Sequence, residues 1–302
     1  MVYRENKRIK ALLIYKEEKE IIELDKQENL PPKKRVKIAT MIVTIEGYKI
    51  GEFFLSWILK YSLDKNLEEI YLTHFIKSDD SLVHLIKEYG FDEVGRKYDN
   101  ESVFVKGISK KIVESRINDL IHEESALFLA KKFYPKFYDG KKVNKFIVPI
   151  QPEYHKKLFL QKRKHTTLYD FGDSNLRDYP ISMNAIKKAY ISKSKINLEE
   201  GDILLFYETD KKGIGDIGIV ESFYKDLKFK DLSETIGKRS VYSINELKEK
   251  SKKNNLVILF IYMGKTDKIS LEKLINEKIL NGPPQSIQKL SHDKYLKLRD
   301  LR

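Results

Sequence analysis

Apolar residues recur along this chain in short blocks whose spacing alternates between two residues and about 3.6. RIKALLIYK (8–16) reads as a strand, and the IIEL within 17–24 as its hairpin partner. After Pro31 and Pro32 the β-branched run VKIATMIV (36–43) predicts a buried strand. IEGYKIGE (45–52) holds two glycines and predicts a turn, and FFLSWILKYSL (53–63) has an apolar face at helical spacing. EEIYLTHF (68–75) predicts a strand. Residues 79–90 predict a helix with Leu82, Leu85, Ile86 and Tyr89 on one face, capped by Asp79 or Asp80 and ended by Gly90. ESVFVKGI (101–108) predicts one more strand.

Residues 109–134 predict mainly helix, from Ile117, Leu120, Ile121, Leu127 and Phe128. A strand broken by Pro149 and Pro152 follows at 144–159, then a basic run, KRKH (162–165), and an ambiguous NAIKKAYIS (184–192). GDILLFYE (201–208), IGDIGIVESF (214–223) and LVILFIYM (256–263) predict strands; 244–252, 270–279 and 286–300 predict helices. The order predicts an α+β chain: a mixed sheet with flanking helices in residues 1–108, a helical linker over 109–143, and a small β-barrel domain over 144–302.

Charge divides the chain along the same line. Residues 1–108 carry equal numbers of basic and acidic side chains, so the whole net charge of +13 falls in residues 109–302. A basic half beside a neutral half predicts a phosphate polyanion, RNA or DNA, as partner of the second half. The absence of cysteine excludes disulfides, thiolate metal sites and cysteine nucleophiles, and predicts a cytoplasmic setting. No apolar run approaches the ~20 residues of a membrane span, and MVYRENKRIK lacks the apolar core of a signal peptide. The histidines show no metal-ligand spacing, so no metal is expected.

The turn at 45–51, between a strand and a helix, predicts backbone N–H groups gathered at a positive helix end, a place for a pyrophosphate. The window Glu46-Gly47-Tyr48-Lys49-Ile50-Gly51, with LIKEYGFDEVG downstream, resembles the GNAT superfamily of acetyltransferases over residues 8–108. The final glycine matches that family's pyrophosphate loop; Glu46 and Lys49 depart from it. Gly90-Phe91 through Gly95 is similar to the family's Gly-Phe-x-x-x-Gly segment. The resemblance implies acetyl-CoA as cofactor, held by Met41, Ile42, Val43, Gly47, Tyr48, Lys49, Ile50, Gly51 and Asp79. It implies transfer to an amine on RNA or a nucleic-acid-associated protein, with His74, Glu46 and Glu52 as candidate bases. Ile86 stands where many members carry a Tyr general acid. The strand and two helices that precede the family's second strand have no counterpart here, which implies a truncated chain, a module completed by a second polypeptide or a homodimer, or a degenerate module. A non-catalytic reader, or a subunit of a toxin- or defence-type assembly with a degenerate scaffold, is the alternative.

In the second half, NAIKKAYIS, GDILLFYE and IGIVESF together are similar to the PUA-like superfamily, in its ASCH and EVE branches. The ASCH run Gly-x-Lys-x-x-Glu-x-Arg aligns from Asn184 and keeps Lys187, with Tyr190 and Ser192 in place of its Glu and Arg. The resemblance implies a cleft that stacks an unpaired base on an aromatic ring and reads its edge with polar groups. The candidates are Asn184, Lys187, Tyr190, Tyr207, Arg239, Ser240 and Tyr242, while alternation along DILLFYE puts Phe206 in the core. His155, beside Tyr154, has no partner signature and reads as structural.

Overall fold

The computed structural model describes residues 1–5, 7–45, 49–159, 185–239 and 241–301, and divides them into two compact units. The first comprises residues 1–123 and 131–136; the second comprises 124–130, 137–159 and 185–301. The chain is α+β, with one mixed six-stranded sheet in each unit. Among the described residues no helix is long and apolar enough to cross a membrane.

The first sheet runs in the order β1-β2-β3-β4-β6-β5, from β1 (Val2–Glu5), β2 (Arg8–Glu18), β3 (Arg35–Val43), β4 (Glu69–His74), β5 (Asp92–Arg96) and β6 (Ser102–Gly107). β3 and β4 are parallel; the other neighbours are antiparallel. α1 (Ile50–Asp64) packs on β3 and β4, burying Phe54, Leu55, Ile58 and Leu59 at helical spacing. α2 (Ser81–Glu88) packs on α1, and a Cβ on Gly51 would lie 3.3 Å from Leu85 Cδ2. Gly51 thus serves close packing of two helices. α3 (Lys110–Leu120) buries Val113 and Ile117.

Two expectations are corrected here. Residues 17–24 do not form a second strand: β2 runs on to Glu18, and only an isolated bridge, Ile22 to Leu30, follows. The buried Arg35 guanidinium draws this loop together by donating to the carbonyls of Glu20 and Pro31, while pairing with Glu69 at 2.8 Å. The other is β5, DEVGR, which the apolar pattern does not announce because its residues are exposed or half-buried on an edge. At Gly90 (φ 78°) an added Cβ would meet Lys132 O at 1.9 Å, so glycine is required.

The second sheet runs β12-β7-β9-β10-β11-β8, from β7 (Lys145–Ile150), β8 (Lys187–Ser192), β9 (Ile203–Glu208), β10 (Gly213–Lys225), β11 (Leu256–Ser270) and β12 (Gln288–Leu290). Only β7 and β9 are parallel neighbours. The helices are α4 (Ala126–Lys132), which carries the chain between the units, α5 (Pro152–Leu158), α6 (Phe229–Ile236), α7 (Ile244–Ser251), α8 (Leu271–Asn276) and α9 (His292–Asp300). The sheet rolls strongly, so that Tyr190 on β8 donates its hydroxyl to Pro149 O on β7, four strands away, at 2.9 Å. Phe206, Phe260, Phe159 and Tyr190 meet inside the roll, with Phe206 in the core as alternation predicts. A Cβ at Gly218 would meet Phe260 Cδ2 at 2.5 Å. The helix expected over 286–300 is instead β12 followed by α9, whose cap Ser291 accepts from Lys294 N.

Candidate functional site

Beside α7 the second unit opens a pocket of about 400 Å³, lined among others by Tyr154, Lys193, Glu246, Glu249, Lys250 and Lys253. Tyr154 lines it, and the buried Tyr242 backs that ring. The rings of Tyr154 and Tyr242 lie 4.8 Å apart, and Lys250 Nζ sits 4.5 Å from the Tyr242 centroid and 5.3 Å from that of Tyr154. Tyr242 is anchored in turn, since Ile191 N donates to its hydroxyl at 3.2 Å.

Both glutamates are held by partners within the protein. Ser243 caps α7 in a reciprocal box with Glu246, and Tyr154 donates to Glu246 Oε1 at 3.0 Å. Burial alone would raise the Glu246 carboxyl, but the hydrogen bonds from Ser243 and Tyr154 hold it below its ordinary value. Burial and the bond to Glu246 push Tyr154 up to about 12. Glu249 pairs with Lys252 at 2.6 Å. Lys193 and Lys253 are exposed and make no salt bridge among the described residues, so the mouth of the pocket is cationic.

The structure places the expected base-binding residues as follows. Lys187 and Arg239 converge on Glu221, at 3.5 and 2.6 Å, and share its single negative charge. Tyr190 and Tyr242 are buried in the hydrophobic core and contribute to packing rather than to an open stacking face. Tyr207 is wholly buried and cannot stack on a base, because pairing with Ile214 puts it on the sheet face opposite Phe206. Asn184 and Ser240 lie outside the described residues.

In the first unit β3 and β4 pair only over Arg35–Ile38 and Glu69–Leu72, and β3 bulges at Ala39. Beyond that point the strands part. Thr44 N donates to Lys10 O, so alternation turns the peptide groups of Met41 and Val43 toward the β4 side and those of Ile42 toward β2. Ile42 and Val43 are exposed. Lys49, at φ 55°, stands at the N-cap of α1 ahead of Ile50 and Gly51, and its ammonium lies 2.8 Å from the buried first-turn Glu52. That contact fixes Glu52 as an ion-pair and helix-end carboxylate. His74 Nε2 lies 2.7 Å from Asp80, the cap of α2. Burial would raise the Asp80 carboxyl, yet bonds from His74, Val83 N and Lys77 N hold it at about 2. Asp79 is exposed beside His84. Glu46, Gly47 and Tyr48 lie outside the described residues.

No family model matches the chain, and no curated protein matches it. It is similar to solved ASCH structures. The ASCH protein from Zymomonas mobilis aligns at 15% identity and a TM-score of 0.39, over 52% of this chain and 94% of that one. The N-terminal domain of Thermococcus gammatolerans McrB, solved bound to m5C DNA, aligns at 12% identity and a TM-score of 0.32, over 52% of this chain and 96% of that one.

One constellation escapes the sequence reading. A bulge at Gly215 rephases β10, so that Asp216 pairs with Phe206 and shares its inward face. There it meets His155 of α5, Nε2 to Oδ2 at 2.8 Å, and accepts from Tyr262 at 2.7 Å. Glu208, on the same face, places Oε1 3.9 Å from His155 Nδ1; neither atom has a hydrogen-bond partner among the described residues. Lys268 and Lys211 each approach Glu208 to 3.4 Å. His155 is thus no lone core histidine. The signal was a polar Asp between Ile214 and Ile217 in a strand whose neighbours are apolar.

Proposed function

We propose that this protein is a nucleic-acid-binding protein that engages a strand through its second unit, with the first unit as a scaffold. The carrying observation is the pocket beside α7, where Lys193, Lys250 and Lys253 line a concavity with Tyr154, while Glu249 is paired with Lys252 and Glu246 is held by Ser243 and Tyr154. Lysines there gain by releasing counterions from phosphates, and the site lies in the half that carries the net charge. The test is fluorescence anisotropy of the full chain with labelled single-stranded RNA and DNA between 50 and 200 mM salt. The Lys193→Glu/Lys253→Glu variant is expected to bind at least ten-fold more weakly. Its salt slope is expected to fall by about 1.4, at ~0.7 per lost contact on a single strand. Binding that is absent, or unchanged in the variant, refutes the reading.

A second reading rests on the parting of β3 and β4. The peptide groups of Met41 and Val43 face that gap, where an extended acyl-CoA arm would find backbone partners and bring an activated thioester. The Lys49–Glu52 pair stands against it, because a carboxylate already occupies the start of α1 where a pyrophosphate would sit. Calorimetric titration with acetyl-CoA decides: a saturable isotherm supports this reading and a flat one removes it.

A further inference from the structure

Lys250 differs from the other lysines of the pocket. Its Nζ lies against two tyrosine faces, half-buried, and no hydrogen bond or ion pair reaches it among the described residues. A π face compensates an ammonium less than a carboxylate does. Burial lowers the amine below its ordinary range; Lys193 adds to this, while Glu246 and Glu153 oppose it. An amine set against tyrosine faces with no carboxylate partner releases its proton more readily than a solvated lysine, which favours nucleophilic attack. The hydroxyl of Tyr154 and the Lys193 and Lys253 ammoniums border the same space.

We propose that Lys250 is a nucleophilic amine that condenses with the aldehyde of an abasic nucleotide held in this pocket. The inference rests on the nucleic-acid reading and adds a covalent step to it. An abasic sugar in its open form carries an aldehyde and lacks a base, so it needs no open stacking face, and Tyr154, the one aromatic ring named in the lining, already lies against Lys250. Lys193 and Lys253 at the mouth take the flanking phosphates. The neutral Nζ adds to the aldehyde carbon, one N–H hydrogen passes to the oxygen, and a carbinolamine forms. The second N–H hydrogen leaves with that hydroxyl as water, and a C=N bond replaces the C=O. No oxidant or further reactant is consumed.

The test mixes the full chain with labelled single-stranded DNA bearing one abasic site, adds sodium borohydride to reduce the imine, and reads the covalent adduct on a denaturing gel. Anisotropy in the same solutions reads non-covalent binding. An adduct mapped to Lys250 by peptide mass spectrometry is expected, reduced at least ten-fold in both Lys250→Arg and Lys250→Met. Binding without an adduct overturns this proposal and leaves the nucleic-acid reading standing; absence of binding overturns both. An adduct on another lysine, or one that persists in Lys250→Arg, also overturns it. The mapping on the wild-type chain makes the result independent of how either variant folds.

Discussion

The buried lysine of the first unit allows a prediction with a definite sign. Lys106, on β6, is 3% exposed and donates to the carbonyls of Tyr89 and Lys132, both at 2.7 Å. Burial lowers its amine from about 10.5 to about 7, with Lys132 adding to the shift and Asp92 opposing it. A neutral amine has two N–H donors, which match the two carbonyls. Between pH ~7 and ~10.5 the unfolded chain therefore holds a proton that the folded chain does not, and stability rises with pH. The slope for one proton is ~1.4 kcal/mol per unit. Lys106→Met removes the titration and leaves two carbonyls unpaired, at ~1–3 kcal/mol each. The wild type is thus expected to gain about 2.5 kcal/mol on the variant between pH 7.5 and 9.5. Trp57, the chain's single tryptophan, lies in α1 of the same unit, so its fluorescence in urea titrations reports this unit. Parallel pH curves for the two proteins would refute the reasoning.

Three further outcomes follow from the packing. Gly218→Ala drives a Cβ to 2.5 Å from Phe260 Cδ2 and 3.3 Å from Phe206 Cε2, and is expected to cost ~1–3 kcal/mol in thermal melts followed by near-UV circular dichroism. Asp216→Asn weakens the bond to His155 and replaces a charged acceptor for Tyr262, at an expected ~2–4 kcal/mol; hydrogen exchange along β10 and β11 should rise most. Arg35→Leu leaves Glu69 with Lys33 as its remaining cation and strips the carbonyls of Glu20 and Pro31 of their buried donor, at ~3–5 kcal/mol in the Trp57 signal.

The parts legible in the sequence were those with a strong period. VKIATMIV, EEIYLTHF, GDILLFYE and the α1 segment carry enough apolar contrast to fix their type and most of their length. β5 and β12 were missed because edge strands bury little and leave no alternation to read. Pro149 and Pro152 looked like breaks in one strand. Instead Pro149 sits within β7 beyond the reach of β12, where no donor is needed, and Pro152 opens α5. The polar sites were the least legible. Tyr207 and Tyr190 look alike in sequence, yet the roll of the sheet sends one to each face. The meeting of His155 with Asp216 depends on a one-residue bulge.

Burial removes part of the second half's basic charge from the surface. A count of basic residues treats every lysine and arginine as part of the surface a polyanion meets. Lys145 is 1% exposed, donates to Val143 O and lies 3.1 Å from His292 Nδ1, and burial lowers its amine to about 8. Lys188 is equally buried, over the Tyr262 ring. Lys187 and Arg239 share Glu221, and Lys211 and Lys268 share Glu208, so each pair is partly compensated. Screening over ~8–10 Å leaves a bound strand responding to exposed, uncompensated charge nearby rather than to the net total. Lys193 and Lys253 are exposed, make no salt bridge among the described residues, and line the pocket beside α7 together with Tyr154. The net charge of the second half is therefore a weaker argument for a nucleic-acid partner than the placement of these two side chains. Reversing their charge should abolish more binding than reversing any pair drawn from the compensated set.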